Sequence, residues 1–205
     1  MDLGQRAREI LNQSDLIIGE EAKPLRRRLR EWGIPLKPIE CLNEHSRPSD
    51  IQGLLQLCLE HPMVALVSDC GTPGFCDPGA QLVSLCRQAN VPVYSVPGPS
   101  SLMAFLSVCG VPLKEFYFRG FLPAHSESRQ RALGDLKKIK VPIIIMDTPY
   151  RLIKTLKDMD KLWPQRPLTL GLDLSREDEV ILHGKASQLL KGLPREKAEF
   201  ILLVE

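Results

Sequence analysis

The sequence has no long apolar run. Its longest apolar segment, near SLMAFLSVCGVPL at residues 101–113, is too short to cross a bilayer. The opening residues, MDLGQRAREILNQ, lack the apolar stretch of a secretory signal peptide. We therefore expect a cytoplasmic protein that does not bind a membrane.

Metal-binding and disulfide patterns are also missing. The six cysteines never form C-x-x-C, and no histidine lies at zinc-like spacing from a cysteine pair. We therefore expect reduced thiols, most of them filling space in the core, and no bound metal.

Neither overall charge nor glycine motifs indicate an ordinary nucleotide-binding protein. The 27 Lys and Arg residues are balanced by 25 Asp and Glu residues, so net charge neither demands nor excludes a nucleic-acid partner.

No G-x-x-x-x-G-K-[ST] occurs, and no G-x-G-x-x-G opens a helix. A P-loop and an ordinary dinucleotide-binding fold are therefore not expected.

What the sequence does contain is an alternation of short apolar runs with helical patterns, which is typical of α/β proteins. The predicted strands cover residues 16–19, 36–41, 63–68, 91–96, 116–119, 141–146, 168–173, 180–183 and 200–204. The predicted helices cover residues 22–32, 48–60, 80–89, 100–110, 127–139 and 150–163. After residue 165 the pattern is strand, strand, short helix, strand, as in a mixed sheet. Gly110-Val111-Pro112 interrupts the pattern, so we predict two α/β domains, 1–110 and 111–205.

Two loops rich in glycine and proline follow predicted strands. SDCGTPGFCDPG occupies residues 68–79, and PGPSS occupies residues 97–101. Ligands of open parallel sheets bind at the carboxyl ends of the strands, where backbone amides are available. If the two strands are neighbours, both loops lie at the same edge, and they predict a ligand site there.

These motifs carry a resemblance to a known family. The segments SDCGTPGFCDPGAQLV, VPVYSVPGPSSLMAFLSVCGVP and FRGFLPAHSESRQRAL, followed by MDTPYR, LDLSREDE and AEFILLVE, cover almost the whole chain in order. Together they resemble the tetrapyrrole methylase superfamily, and within it the ribosomal RNA small subunit 2'-O-ribose methyltransferase I branch. The resemblance implies a homodimer of two-domain α/β subunits that bind S-adenosylmethionine in the interdomain cleft.

The resemblance also implies where the cofactor is bound. The implied contacts fall in the first loop, in the second loop and in the second domain: Asp69, Gly71, Thr72, Pro73, Gly74, Phe75, Cys76, Ser100, Ser101, Met146, Leu172 and Ala198. Cys76 replaces the usual serine, His125 replaces a lysine and Tyr150 replaces a histidine. The family's first strand, which ends in a T-P-I/L-G-N-L-G-D motif, matches only at its end, and we expect that strand upstream of Met1.

Transfer of a methyl group to a ribose hydroxyl is helped by a general base. The candidates are Asp147, Glu20 and Glu21, with Asp69 and His45 as further possibilities. Each could equally be a helix cap or half of a surface ion pair.

Contacts with ribosomal RNA, or with the small ribosomal subunit, are predicted for Arg119, Arg129 and Arg151. Arg131 and the LRRRLR segment at residues 25–30 are further cationic candidates, although LRRRLR also fits a solvated helix face. Two other functions stay open. One is methylation of a tetrapyrrole or another small molecule, and the other is a binding module whose cofactor cleft has degenerated.

Overall fold

The computed structural model describes residues 3–69 and 71–205. The described chain forms two compact units that divide between Ser100 and Ser101. Both contain helices and a sheet, in agreement with the predicted α/β class. No helix in the described part of the chain is long and apolar enough to cross a membrane.

The first unit is built from βα repeats. In chain order its elements are α1 (Gln5–Gln13), β1 (Leu16–Gly19), α2 (Ala22–Glu31), β2 (Ile39–Cys41), α3 (Pro48–Glu60), β3 (Val64–Leu66) and α4 (Ala80–Gln88). The three strands form a parallel sheet in the order β2-β1-β3. Helix α1 was not predicted, because its sequence QRAREILNQ offers few apolar residues to form a helical stripe.

Strand β1 is the centre of this unit, and all four of its residues are buried. Successive side chains of a strand point to opposite faces of the sheet. Ile17 packs with Leu11 of α1 and Leu29 of α2, whereas Ile18 packs with Leu54 of α3 and Leu82 of α4. Helices therefore cover both faces, as expected of a parallel sheet.

The strand predicted over residues 91–96 is not formed. Residues 91–100 carry no strand or helix, and Tyr94 is 82% exposed. The alternating apolar pattern was correct for a strand, but a strand also needs a hydrogen-bonding partner. In the described residues, β3 pairs only with β1, and residues 91–96 do not pair with its other edge. The expected strand upstream of Met1 stays a prediction.

The second unit contains a mixed sheet, as predicted. Its elements are α5 (Ser101–Val108), β4 (Tyr117–Phe121), α6 (Ser126–Leu136), β5 (Ile143–Asp147), a 3-10 turn (Pro149–Arg151), α7 (Leu152–Leu162), β6 (Leu168–Leu172), β7 (Val180–Gly184), α8 (Ala186–Gly192) and β8 (Phe200–Val204). The strand order is β4-β5-β8-β6-β7, with β4 parallel to β5 and every other pair antiparallel.

Helix α5 groups with the second unit, although the sequence placed it in the first domain. Phe105 is fully buried and packs with Ile144 and Leu203 of the second sheet. It lies so close to β6 that a Cβ atom at Gly171 would approach its ring to 2.7 Å. Because α5 packs on the second sheet, the chain divides into its two compact units after Ser100. A domain boundary near residue 110 stays a prediction.

The cysteines are free thiols where the structure describes them. Cys86 and Cys109 are buried, whereas Cys41 and Cys76 are exposed. Burial, reinforced by the neighbouring Cys86, raises the pKa of Cys58 to about 12. That thiol is therefore protonated and unreactive at neutral pH.

Candidate functional site

The first glycine loop continues from β3 through a backbone conformation that favours glycine. Gly71 has a φ of 120°, Gly74 a φ of 95° and Gly79 a φ of 133°. Cys76 also has a positive φ, at 63°. The loop is closed internally, because the Ser68 hydroxyl donates a hydrogen bond to Asp77 Oδ2 at 3.1 Å. Cys70, within the same motif, lies outside the described residues.

The second loop packs directly against the first. The backbone N–H of Thr72 and its hydroxyl both donate to the carbonyl oxygen of Pro99, at 3.1 and 3.2 Å. A Cβ atom at Gly71 would lie 2.7 Å from that oxygen, and one at Gly98 would lie 2.9 Å from Thr72 Oγ1. The predicted neighbourhood of the two loops is therefore confirmed, although no strand over residues 91–96 produces it.

Most of the predicted cofactor residues of this unit are accessible. Thr72, Gly74 and Cys76 are exposed, and Phe75 is 59% exposed. Ser100 is exposed as well, and so is Ser101, which begins α5 and the second unit. Gly71 and Pro73 are half-buried, and the second loop lies directly against Gly71. The pair of loops therefore presents backbone groups, hydroxyls and one aromatic ring to a ligand.

A cavity of about 650 Å³ adjoins the first loop and is bordered by acids. Glu20, Glu21, Asp69 and Asp77 line it, together with the exposed His45. Glu20 Oε1 accepts a hydrogen bond from the Asp69 backbone N–H at 3.0 Å, so Glu20 holds the start of the loop. Among the described residues, no group of three or more His, Cys, Asp or Glu side chains is arranged to hold a metal ion.

Partial burial, followed by the charges of Glu20 and Glu21, raises the pKa of Asp69. Burial also raises the pKa of Asp77, and the Ser68 hydrogen bond opposes that shift. A carboxyl group with a raised pKa binds its proton more tightly in the folded state. In their ionised forms these two acids therefore lower the free energy of unfolding at neutral pH. This destabilisation decreases as the pH falls and the carboxyl groups become protonated.

We expect Asp69→Asn to raise the melting temperature at pH 7, because it removes a carboxylate from a site surrounded by other carboxylates. The gain should shrink as the pH falls through the raised pKa and vanish below the ordinary carboxyl pKa, where Asp69 is protonated in both states. Thermal unfolding of both proteins from pH 7 to pH 3.5 measures this. A stabilisation that does not depend on pH would contradict the electrostatic cause.

In the second unit, the register of the strands places the other predicted cofactor residues, Met146, Leu172 and Ala198, at one end of the sheet. Strands β5 and β6 both run antiparallel to β8, and both end opposite Phe200. Met146 lies next to last in β5, and Leu172 ends β6. Ala198 is buried and comes two residues before Phe200. These three apolar residues therefore belong to one end of the sheet, although Leu172 itself is fully buried.

Asp147 is a predicted catalytic acid, but its carboxylate is fully engaged in internal hydrogen bonds. Its Oδ1 accepts from Arg151 Nη1 and from the Thr148 N–H, each at 2.9 Å. Its Oδ2 accepts from Arg129 Nη1 at 3.0 Å and from Thr155 Oγ1 at 3.2 Å. The side chain is completely buried. This arrangement indicates a structural role, so a catalytic role for Asp147 stays a prediction that this geometry does not favour.

The three arginines predicted to bind substrate have different surroundings. Arg129 is 2% exposed, and its guanidinium contacts Asp147, Asp158 and Thr155. Arg151 donates to Asp147 and to the Leu122 carbonyl oxygen, at 2.9 Å each. Arg119 is half-buried, and no internal hydrogen bond or ion pair holds its side chain in the described chain. Among the three, Arg119 is therefore the one available to an external anion.

Thr155 and Asp158 belong to this network but were not identified from the sequence. Asp158 Oδ2 accepts from Arg129 Nε at 2.7 Å. Both residues lie on α7, one turn apart, in a helix whose apolar residues explained the pattern without them. A buried arginine needs more than one hydrogen-bonding or acidic partner. That requirement was the only indication that residues such as Thr155 and Asp158 would contact Arg129.

Comparison with solved structures establishes the class of fold. Diphthine synthase matches with a TM-score of 0.74 at 13% identity, covering 98% of this chain and 83% of that one. The uroporphyrin-III C-methyl transferase of Thermus thermophilus, solved with S-adenosyl homocysteine, matches with a TM-score of 0.63 at 18% identity, covering 98% and 90%. The two-sheet α/β fold is therefore the fold of these two solved structures.

Comparison of sequences identifies the family. Residues 1–190 match the family Tetrapyrrole (Corrin/Porphyrin) Methylases. The chain is also 35% identical to ribosomal RNA small subunit methyltransferase I of Vibrio cholerae serotype O1, over 99% of this chain and 72% of the relative. The chain belongs to the tetrapyrrole methylase family, and the resemblance noted from its motifs is confirmed.

Proposed function

We propose that this protein is an S-adenosylmethionine-dependent methyltransferase that modifies small-subunit ribosomal RNA at a ribose 2'-hydroxyl. The observation that carries the proposal is the joining of the two motif loops by Thr72 and Pro99, in a chain whose relatives are ribosomal RNA methyltransferases. The joined loops leave Thr72, Gly74 and Phe75 exposed. An adenosine with a short polar tail requires such a mixture of apolar and hydrogen-bonding groups.

We propose that both units contribute residues to cofactor binding. From the first unit these are the accessible residues of the two loops, centred on Thr72, Phe75 and Ser100. From the second unit they are Met146, Leu172 and Ala198, gathered at one end of the sheet by the β8 register. The buried Leu172 would act through its backbone, because its side chain is fully packed.

When bound, S-adenosylmethionine supplies an activated methyl group for an in-line displacement. The protein's residues have to orient the attacking hydroxyl, remove its proton and exclude water. Glu20 and Glu21 lie beside the first loop, and Glu21 is exposed, so they remain the proposed bases. The saturated hydrogen bonds of Asp147 leave it to hold the Thr148 backbone directly and the Leu122 backbone through Arg151.

Methyl transfer to RNA tests the proposal. Purified protein, S-adenosylmethionine with a labelled methyl group and small ribosomal subunits from a strain lacking this gene should give a labelled ribose at one position of the RNA. A parallel reaction with uroporphyrinogen tests the small-molecule alternative. Methylation of the tetrapyrrole but not of the RNA would overturn the substrate assignment, and calorimetric absence of cofactor binding would favour the non-catalytic alternative.

We propose further that the protein is a cytoplasmic homodimer, as the resemblance implies. Sedimentation at several concentrations tests the assembly, and a monomer at the highest concentration would contradict it.

A further inference from the structure

A groove of about 430 Å³ lies along β4 and α6 in the second unit, within the size range of ligand-binding clefts. Tyr117 and Arg119 line it from β4, and Ser128, Arg131 and Asp135 line it from α6. Strand β4 is at the edge of its sheet, where it pairs with β5 alone among the described strands. The groove is therefore open along the unpaired side of an edge strand.

A β-bulge sets the position of Arg119. The pairing of β4 with β5 shifts between Phe118 and Gly120, so Arg119 is the extra residue on its strand. Gly120 has a φ of 66°, which accommodates the bend. Bulges re-aim a side chain relative to the regular alternation of a strand. Here the bulged residue is the arginine that lines the groove.

The charges of the groove are positive and largely unneutralised. Arg119 is half-buried, yet it makes no ion pair within the part of the chain that the structure describes. Arg131 lies 3.7 Å from Glu127, but both side chains are highly exposed, so that pair is weak. The one carboxylate of the lining, Asp135, has Lys138 at 2.7 Å, but that pair is exposed as well, so the lining sets two arginines against one carboxylate. A partly desolvated guanidinium without a partner favours an anionic ligand.

Aromatic rings accompany these cations. Tyr117 lines the groove and is 41% exposed, and Phe121, at the other end of β4, is 47% exposed. Cationic groups that bind phosphates next to exposed rings that stack on bases are the usual means of binding single-stranded nucleic acid. A polyanion without bases would not stack on the aromatic rings, so the rings favour a nucleic acid as the ligand.

We propose that this groove binds a single-stranded segment of the RNA substrate, with Arg119 and Arg131 on phosphates and Tyr117 stacked on a base. The inference rests on the proposed RNA substrate and deepens it. It also separates the arginines of the FRGFLPAHSESRQR and MDTPYR motifs by role: Arg129 and Arg151 hold the fold, whereas Arg119 and Arg131 hold RNA.

The test compares two double variants with equal loss of charge. Arg119→Gln with Arg131→Gln removes the groove cations, and Lys154→Gln with Lys157→Gln removes two exposed cations of α7. Binding of a fluorescent single-stranded RNA oligonucleotide from the small subunit is measured by anisotropy at several salt concentrations. Calorimetry with S-adenosylmethionine reports the integrity of each protein.

We expect the groove variant to lose about tenfold or more in RNA affinity at low salt and its slope of log K against log salt to fall by about 1.4, roughly 0.7 for each lost phosphate contact. Its cofactor affinity should stay unchanged, and the KM for RNA should rise more than kcat falls. Tyr117→Leu should weaken RNA binding about fivefold or more, whereas Tyr117→Phe should retain it.

Unchanged RNA affinity of the groove variant, or an equal loss in the α7 variant, would overturn the inference while leaving the proposed function intact. Absence of RNA binding by the unaltered protein would overturn both. Because Arg131 is exposed, Arg131→Gln alone keeps the test valid should Arg119→Gln disturb folding, and it should reduce the slope by about 0.7.

Discussion

Replacing Gly71 with valine is expected to reduce the affinity for S-adenosylmethionine by roughly a hundredfold, because keeping the loop in its binding conformation would cost up to about 3 kcal/mol of backbone strain. The new Cβ would lie 2.7 Å from the carbonyl oxygen of Pro99, and the φ of 120° is unfavourable for any residue with a side chain. The second loop would have to move away, and the two hydrogen bonds from Thr72 to Pro99 would break. Isothermal titration measures the loss.

Two controls separate this effect from general damage. Cys76→Ser changes an exposed residue of the same loop to the residue usual in the family, and it should leave cofactor affinity nearly unchanged. Gly53→Ala, on α3, adds a Cβ with no atom within 4 Å and should stabilise the helix slightly. Normal cofactor binding by Gly71→Val would contradict the assignment of this loop to the cofactor.

Arg129→Met is expected to destabilise the protein by about 3–5 kcal/mol, the usual cost of removing one partner from a buried ion pair. The substitution leaves the fully buried carboxylate of Asp147 without one of its two arginines and removes the 2.7 Å contact with Asp158. Chemical denaturation with a chaotrope, followed by far-UV circular dichroism, measures the change in the free energy of unfolding.

Arg131→Met is the matched control, two residues further along the same helix with its side chain 77% exposed. Its effect on the free energy of unfolding should stay within about 0.5 kcal/mol. Arg129→Lys should recover only part of the loss, because an ammonium group cannot reproduce the three-sided contact of a planar guanidinium. Equal stability of the two methionine variants would show that the buried network contributes nothing.

The local sequence pattern predicted secondary structure correctly where a residue's environment depends on its neighbours in sequence. Strands 16–19 and 200–204 were predicted with the observed bounds, since each is a continuous apolar run buried on both faces. The glycine loops were recognised because Gly and Pro restrict the backbone by themselves. The segment 91–96 has an equally good local pattern, but without a partner strand it is not a strand.

The roles of the charged residues required the tertiary structure. Arg119, Arg129 and Arg151 were one group in the sequence, predicted to bind the same substrate. Whether an arginine is free depends on which carboxylates the fold brings to it, and for Arg129 those come from β5 and α7.

Hydrophobic period, turn residues and ordered motifs are local properties of the chain, so the α/β class, the family and the positions of both motif loops can be predicted from them. The contact of Thr72 with Pro99, the enclosure of Asp147 by two arginines and the position of Arg119 in a groove are visible only in the folded protein. Burial and hydrogen bonding depend on residues distant in sequence, and no local pattern contains that information.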